Sequence, residues 1–466
     1  MIFLQPAFLL FALITVLIAD ARPRGLAPAA MALVVNLAFI GLFLGWQQGA
    51  ILLGFSLLGF VLLRLPRATL TPAVALTLAV FVMLKKYEFL PAAVLLENLP
   101  VAIGLSYVLF RLLHLLVDRA QSEGPAPGLV EHLEYTLAAH SLLSGPFQRY
   151  EEHAALLAQA PRHAPEPQMA RIADGFLKVV LLAPLFKSGY AAAVPGFEPG
   201  LALGLSAFVH TIAAALFWLV FMYFNFSGYM DIVIGWARLC RLDLPENFDR
   251  PWLADGFLDF WSRWHMTMTG WFKAYVFTPL MVALGRHLPP TRAMSLAASA
   301  FAFFVTFLLV GAWHGPAVPF ITCGLFLGIG ATVNQLAREW TRLRRKAKGA
   351  AAMPRSDALR LFGAGFNLIY IALAVSPFWL DDRQFGVFLR AFTHPANLLL
   401  ALPLCSAMMA VGLVVLRISF SAAVRAWGTR ANWWSSPAAI GARCTVLLLC
   451  VLSSGAALPD FVYKGI

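Results

Sequence analysis

Long apolar runs follow one another along most of the chain. Because the hydrocarbon core of a bilayer takes about 20 apolar residues per helix, each run is a candidate membrane helix. The twelve runs lie at 2–19, 28–45, 49–63, 71–84, 95–117, 173–189, 200–224, 293–311, 316–336, 361–380, 396–416 and 438–458. Several are too short to cross a bilayer alone. The first is interpreted as a retained helix, because its match to a signal-peptide cleavage pattern is weak. This pattern predicts an all-α polytopic membrane protein.

Two stretches between these runs have a mixed character. Residues 133–150 and 225–285 combine Gly, Pro, His and charged residues with near-membrane hydrophobicity. Such a mixture is tolerated at membrane depth where the backbone is buried in protein or lines a wet cavity. We therefore expect the chemistry of the protein in these stretches. No long linker, low-complexity tract or obvious repeat divides the sequence, so we predict a single membrane domain over 1–466.

Composition supports the membrane assignment. The chain is 60% hydrophobic and 12% charged, whereas a soluble globular domain is about half apolar and about a quarter charged. The same values exclude intrinsically disordered, collagen-like and disulfide-scaffold classes. The five cysteines show no metal-ligand spacing and lie mostly in apolar runs. We interpret them as buried small hydrophobes and predict no metal site.

Charge indicates orientation and partners. The net charge is +12, but most basic residues flank apolar runs, which predicts contact with anionic membrane lipids and no nucleic-acid partner. The stretch 338–360 carries eight Arg and Lys against two acidic residues, a cytoplasmic signature. Successive helices cross the membrane in opposite directions, and counting from this stretch places the tail at 458–466 outside. We therefore predict a multi-pass protein of the cytoplasmic (inner) membrane with an extracytoplasmic C-terminus.

Two histidines occur in unusual contexts. His314 lies in G-A-W-H-G-P between two apolar runs, and His265 ends the aromatic segment Phe260–His265. The structural alternative for His314 is a turn that connects two helices, and the alternative for His265 is an interfacial amphipathic helix. However, ionisable residues in membrane segments indicate function, and neutral imidazole is well suited to accept a proton near pH 7. Together the two histidines favour a catalytic interpretation.

Asp231 and Arg149 are further candidates. Asp231 closes a polar segment, Asn225–Asp231, that is expected to end an apolar helix. An ion pair with Arg238 or a helix cap is the structural alternative for Asp231. Arg149 follows a Gly-Pro break, and its structural alternative is an interfacial anchor.

Five motifs occur in a fixed order along the chain. They read S-G-P-x-x-R-Y at 144–150, F-x-F-S-G-Y-x-D at 224–231, L-P-E-N-F at 244–248, F-W-x-R-W-H at 260–265 and G-x-W-H-G at 311–315. This sequence resembles the membrane-bound O-acyltransferase family, and within it the bacterial branch of alginate O-acetylases and teichoic acid D-alanyl transferases. On this resemblance we place a motif-bearing catalytic core at 100–340.

The resemblance implies a fold and a set of site residues. The family's fold is a ring of membrane helices, here about 11–12, around a central tunnel. His314 fills the principal catalytic position, and His265 fills a second position that holds Asn or His in the family. Supporting or substrate-binding candidates within the motifs are Arg149, Asp231, Asn247 and Trp313. The segment P-A-V-P-F after G-x-W-H-G departs from the family pattern.

The implied chemistry is acyl transfer from a thioester to a hydroxyl. It requires a base, stabilisation of a tetrahedral oxyanion and exclusion of water, and it requires no metal. His314 is the predicted base, and His265, with Arg149 or backbone donors, is predicted to polarise the carbonyl. The motif G-x-S-x-G is absent, which argues against an acyl-serine intermediate. We predict no bound cofactor and an acyl thioester, acetyl-CoA or an acyl carrier, as substrate.

The C-terminal tail carries a further candidate. It ends in Phe461-Val462-Tyr463, then departs from the F-x-Y-x-x-F ending of alginate-acetylase-like proteins, since Ile466 stands in place of Phe. A plain interfacial anchor explains Tyr463. The resemblance instead implies that this tyrosine takes the acyl group and presents it to an extracytoplasmic, esterase-like (SGNH-type) partner.

Three functions remain in competition. The leading one is O-acylation, most simply acetylation, of an exported or cell-envelope polysaccharide. D-alanyl transfer to teichoic acid is the alternative within the family. A secondary transporter or flippase, in which Asp231 and the histidines relay protons, is the alternative of a different class, although the inverted repeats typical of such proteins are not evident.

Overall fold

The structure is a computed structural model of the chain. It describes residues 2, 5–21, 28–87, 90, 91, 100–121, 124–194, 205–315, 317–347, 357–380, 382–393, 395, 399, 402–427 and 436–453. Within these residues the regular structure is helical, apart from one isolated antiparallel β-bridge between Phe248 and Trp264. The predicted all-α fold class is confirmed.

Twenty α-helices lie in the described residues. They are α1 (Pro6–Ala21), α2 (Pro28–Phe39), α3 (Trp46–Leu62), α4 (Leu70–Lys85), α5 (Leu105–Gln121), α6 (Leu129–Thr136), α7 (Ala139–Leu142), α8 (Tyr150–Gln159), α9 (Pro165–Leu177), α10 (Ala183–Ala193), α11 (Leu205–Leu239), α12 (Phe257–Trp261), α13 (Met266–Phe272), α14 (Thr278–His287), α15 (Arg292–His314), α16 (Val318–Ala347), α17 (Asp357–Ala374), α18 (Asp382–Thr393), α19 (Leu402–Trp427) and α20 (Pro437–Ser453). Short π-helical segments at Ile40–Leu44, Lys178–Leu182 and Lys273–Phe277 continue α2, α9 and α13.

Several of these helices are long and apolar enough to cross a membrane. Among the described residues there are five such stretches, Arg67–Lys85, Phe208–Leu239, Arg292–His314, Val318–Arg344 and Leu361–Phe378. Four shorter apolar helices lie at Pro6–Ala21, Pro28–Leu44, Trp46–Leu62 and Leu402–Val414. The protein is therefore a multi-pass membrane protein, while the predicted number of 11–12 crossings stays a prediction.

The chain divides into two compact units. Unit 1 comprises Met1–Leu177, Gly228–Glu246 and Pro437–Ile466, and unit 2 comprises Lys178–Ser227 and Asn247–Ser436. Unit 2 holds both candidate catalytic histidines. The predicted domain boundaries, including the core at 100–340, stay a prediction.

Unit 1 combines an apolar core with buried polar groups. α4 packs on α5, and α2 packs on α6. The largest aromatic residue of the core beside these helices is Tyr135, which packs with Leu63, Leu70 and Leu116. The buried guanidinium of Arg111 donates to the Thr136 carbonyl at 2.8 Å. A buried polar group keeps its hydrogen bonds because their loss would cost its desolvation energy, so this contact ties α5 to the end of α6.

Unit 2 is organised around the long helices α15 and α16, which form an extensive pair. Gly311 of α15 faces Gly324 of α16 so closely that a Cβ on Gly311 would clash with the backbone of the partner helix. Small residues permit such close approach between membrane helices. The first glycine of the G-x-W-H-G motif therefore brings the end of α15, which carries His314, against α16.

The expected end of an apolar helix at Asn225–Asp231 is wrong. α11 runs through this segment to Leu239. It contains no proline to remove a backbone hydrogen bond. Asn225, Phe226 and Tyr229 are fully buried, so packing surrounds the segment. The polar residues of the motif thus lie in a continuous helix whose first part belongs to unit 2 and whose last part belongs to unit 1.

The basic stretch at 338–360 is also not simply a loop. α16 continues to Ala347, so Arg338, Arg342 and Arg344 belong to its last turns. Arg344 lies in the last turn, where a positive charge complements the negative end of the helix dipole. Residues 348–356 lie outside the described residues.

Candidate active site

His314 is the last residue of α15 and is 3% exposed. Its Nδ1 lies 2.6 Å from the Val310 carbonyl oxygen, one helical turn earlier. A carbonyl only accepts hydrogen bonds, so Nδ1 carries the proton and donates it to Val310. In the neutral ring the other nitrogen, Nε2, then carries the lone pair. The end of α15 therefore presents a proton acceptor.

Aromatic rings surround His314. The Trp313 ring lies at 4.5 Å and the Phe378 ring at 4.8 Å, measured between ring centroids. Gly315 follows in extended conformation, with φ −168°, and ends the helix. Apolar walls of this kind exclude water and strengthen electrostatic interactions with a reacting group.

His265 lies between α12 and α13, so the structural alternative for this segment, an interfacial amphipathic helix, does not run through His265. Its φ is 45°, a left-handed conformation that is strained for a residue other than glycine. Two backbone hydrogen bonds flank the break, Asp249 N to Arg263 O at 2.9 Å and Met266 N to Asn247 O at 3.0 Å. These bonds fasten the L-P-E-N-F segment beside His265 and hold the strained backbone in place.

The His265 side chain is fully buried. Its Nδ1 lies 3.1 Å from the side-chain oxygen of Asn247, and the Phe226 ring meets its face at 4.9 Å with an interplanar angle of 85°. Burial lowers the pKa of His265 well below its usual value, and the nearby His314 lowers it further. His265 is therefore neutral at physiological pH, and the two imidazoles are close enough for one charge to disfavour the other.

A cavity of about 230 Å³ lies between α13 and α15. Its wall includes Met268 and Thr269, which follow His265, and Thr306 and Val310, which precede His314. Val310 is the residue whose carbonyl binds His314. The cavity therefore adjoins both histidine-bearing segments of unit 2.

Comparison with known proteins decides the family. The model of MBOAT, the membrane-bound O-acyltransferase family, matches residues 73–373, which include all five motifs. The chain belongs to the membrane-bound O-acyltransferase family. The predicted resemblance is thereby confirmed, and His265 and His314 of unit 2 are the candidate acid–base groups of an O-acyltransferase.

Curated members of the MBOAT family are similar to the chain over part of their length. The teichoic acid D-alanyltransferase of Streptococcus thermophilus is 25% identical over 61% of this chain and 70% of its own. The probable alginate O-acetylase AlgI of Pseudomonas syringae is 25% identical over 52% of this chain and 44% of its own. The peptidoglycan O-acetyltransferase of Helicobacter pylori is 33% identical over 32% of this chain and 26% of its own. The match thus spans about half the length of the alginate O-acetylase relative.

The MBOAT candidates Arg149 and Asp231 lie in unit 1. Arg149 is exposed and directly precedes α8. Asp231 accepts a hydrogen bond from Nε of Arg171 at 3.0 Å. Arg238 instead pairs with the carboxylates of Asp243 at 2.8 Å and Glu246 at 3.3 Å. Asp231 therefore belongs to an ion-pair cluster that the sequence did not predict.

Glu246 joins the same cluster. It accepts from Arg171 at 2.6 Å. Burial raises the pKa of Glu246, but the hydrogen bonds and positive charges of Arg171 and Arg238 outweigh burial and hold that pKa below its usual value. The glutamate of L-P-E-N-F is therefore ionised and ties its segment to α9 and α11.

The sequence predicted some of the remaining site residues and missed others. Tyr463 lies outside the described residues. Trp313 and Asn247 are placed beside His314 and His265, as described above. Sequence reasoning missed Val310, although its spacing of four residues from His314 in a helix was a usable signal. It also missed Phe378, which lies far away in the sequence and gives no local signal.

Proposed function

We propose that this protein transfers an acyl group, most simply acetyl, from a cytoplasmic thioester to hydroxyl groups of an exported or cell-envelope polysaccharide. The observation that carries the proposal is the 2.6 Å contact of His314 Nδ1 with the Val310 carbonyl, beside the rings of Trp313 and Phe378, which leaves the proton-accepting lone pair on Nε2. Family membership and the names of the O-acetylating relatives support it.

The proposed step needs one base. As the acceptor oxygen bonds to the thioester carbonyl carbon, its hydroxyl proton passes to Nε2 of His314. When the tetrahedral intermediate collapses, the carbon–sulfur bond breaks. The leaving thiolate takes the proton from the His314 imidazolium, which restores the neutral ring. General-base catalysis of this kind typically contributes about 10²–10⁴-fold.

The donor is a substrate rather than a resident cofactor. Acetyl-CoA and an acyl carrier present the same thioester. The cavity of about 230 Å³ between α13 and α15 supports a site for the acyl end, because its wall is largely apolar and it adjoins the His314 segment. Exclusion of water there would protect the thioester from hydrolysis.

The proposed setting is the cytoplasmic (inner) membrane, with the C-terminus outside. An extracytoplasmic, SGNH-type esterase-like partner then completes delivery to the glycan. In this scheme the Tyr463 phenol takes the acyl group first and the partner moves it to the glycan hydroxyl. The phenol leaves readily because its pKa is about 10, so the ester keeps its transfer potential.

D-alanyl transfer to teichoic acid is the second candidate. It is favoured by the coverage of the D-alanyltransferase relatives, which reaches 70% of the Streptococcus thermophilus protein and 62% of the Bacillus subtilis protein. The transporter hypothesis receives no such support from the family match.

Analysis of ester-linked groups tests the proposal. Envelope glycans and exopolysaccharide from cells with and without the chain are treated with mild alkali, and the released acids are separated. We expect acetate to depend on the chain. D-alanine in its place would establish the second candidate, and equal ester content in both cells would refute acyl transfer altogether.

A further inference from the structure

Three hydrogen bonds converge on one atom beside His265. The side-chain oxygen of Asn247 lies 3.1 Å from Nδ1 of His265, 3.2 Å from the backbone nitrogen of Thr267 and 2.8 Å from the Thr267 hydroxyl. Asn247 is 1% exposed. A buried amide that meets three groups at one oxygen holds its orientation firmly.

The backbone decides which end of the Asn247 amide faces His265. A backbone N–H can only donate, so the atom that faces Thr267 N must be the amide oxygen and not the NH₂ group. This assignment does not depend on any assumption about the histidine. Since the oxygen only accepts, Nδ1 of His265 must be the protonated nitrogen.

Both residues are also fixed through their main chains. The Asn247 carbonyl accepts from Met266 N at 3.0 Å, and the β-bridge joins the neighbouring residues Phe248 and Trp264. The two backbone segments that carry the amide and the imidazole are therefore joined on both sides of His265. Asn247 is in the position of an outer partner that sets the tautomer of a functional histidine.

We infer that Asn247 is a positioning residue that holds neutral His265 as its Nδ1–H tautomer and so presents the Nε2 lone pair to the acyl-transfer site. The second half of this inference rests on the proposed function. In this tautomer His265 accepts a hydrogen bond, from the acceptor hydroxyl or from protonated His314. This role differs from polarising the carbonyl, which would require a proton on Nε2.

The tautomer is measured directly by nitrogen NMR of the full chain in lipid bilayers, labelled with ¹⁵N-histidine. The difference from a His265→Gln sample assigns His265 among the ten histidines. We expect a protonated Nδ1 and an unprotonated Nε2. Asn247→Asp keeps the acceptor oxygen and should keep this tautomer, whereas Asn247→Leu should lose it. A wild-type His265 protonated on Nε2, or the same tautomer in Asn247→Leu, overturns the inference whatever the activity.

Kinetics separate positioning from general structural damage. Asn247→Leu should lower kcat by about 10- to 100-fold, the usual effect of losing an orienting partner, with little change in KM for the thioester. Asn247→Asp should restore most of that loss. Thr267→Val is the matched control, because it removes the hydroxyl but keeps the backbone N–H that orients the amide. Equal losses of kcat in Asn247→Asp and Asn247→Leu would contradict the positioning role.

Discussion

At the residue scale, each candidate histidine is defined by what binds its Nδ1. The Val310 carbonyl accepts from Nδ1 of His314 within one helix. The side-chain oxygen of Asn247 accepts from Nδ1 of His265, which lies 18 residues further along the chain. Both rings are buried, so neither hydrogen bond competes with bulk water. In this tautomer the Nε2 atom of each neutral ring carries the lone pair.

Replacing His314 tests the base. His314→Ala should lower acyl transfer by about 10²–10⁴-fold, because the proton acceptor is lost while little packing is removed. The measurement is ester content of the glycan at matched membrane levels of the protein. His287→Ala is the control, since His287 is an exposed histidine at the end of another helix. Near-normal acylation by His314→Ala would remove His314 from the mechanism.

Replacing His265 separates hydrogen bonding from proton transfer. His265→Ala should impair the reaction, whereas His265→Asn should be milder, because an amide oxygen still accepts a hydrogen bond. Turnover of the thioester by purified protein is the measurement. If both variants lose activity equally, His265 itself must carry a proton during the reaction.

At the element scale, two features place the motifs. The close approach of Gly311 to α16 sets the end of α15. The carboxylate of Glu246 ties the segment before Asn247 to α9 and α11 through Arg171 and Arg238. Both features explain motif residues by packing and charge rather than by direct chemistry.

Enlarging Gly311 should separate α15 from α16. Gly311→Ala puts a methyl group against the backbone of α16, and such overpacking typically costs about 1–3 kcal/mol. Thermal unfolding in detergent measures the loss. A Cβ on Gly285 of α14 meets no atom, so Gly285→Ala is the control and should not destabilise. Equal melting temperatures for the two variants would contradict the close packing.

The Glu246 ion pairs predict an acid-sensitive stability. Because its pKa is lowered in the folded protein, Glu246 stabilises the fold above its unfolded pKa, and that contribution is lost as the pH falls through the folded pKa. Glu246→Gln should therefore lower the free energy of unfolding at neutral pH. It should also reduce the loss of stability that the wild-type protein shows as the pH falls. Unfolding curves at a series of pH values check this, and an unchanged acid decline in the variant would argue against the pair.

At the scale of the whole molecule, the proposed reaction must connect two sides of a membrane. The thioester is proposed to arrive from the cytoplasm, while the basic stretches predict that residues 458–466 lie outside. A side chain of the protein that accepts the acyl group and presents it outside would connect the two sides, and Tyr463 is the candidate.

Tyr463→Phe tests the relay, because it keeps the ring and removes only the nucleophile. We expect glycan acylation to be abolished while assembly with the extracytoplasmic partner persists. In cells that lack the partner, mass spectrometry should find the C-terminal peptide heavier by one acyl group. Phe461→Leu is the control variant for Tyr463→Phe, because it changes the same tail but leaves the Tyr463 phenol in place. Full activity of Tyr463→Phe would mean that the glycan hydroxyl reaches His314 directly.

The sequence by itself determined the membrane class, the helical fold, the family and the candidate histidines. Helix positions follow from local hydrophobicity, which is carried by consecutive residues. The motifs point to the candidate histidines for the same reason, since each motif is a short run of neighbouring residues. Tertiary structure alone decided the rest. The continuation of α11 through its polar segment accompanies the burial of Asn225, Phe226 and Tyr229. The pairing of Asp231 with Arg171 and the Asn247 oxygen that sets the His265 tautomer join residues distant in the chain. Their energies depend on burial and orientation, which neighbouring residues do not encode.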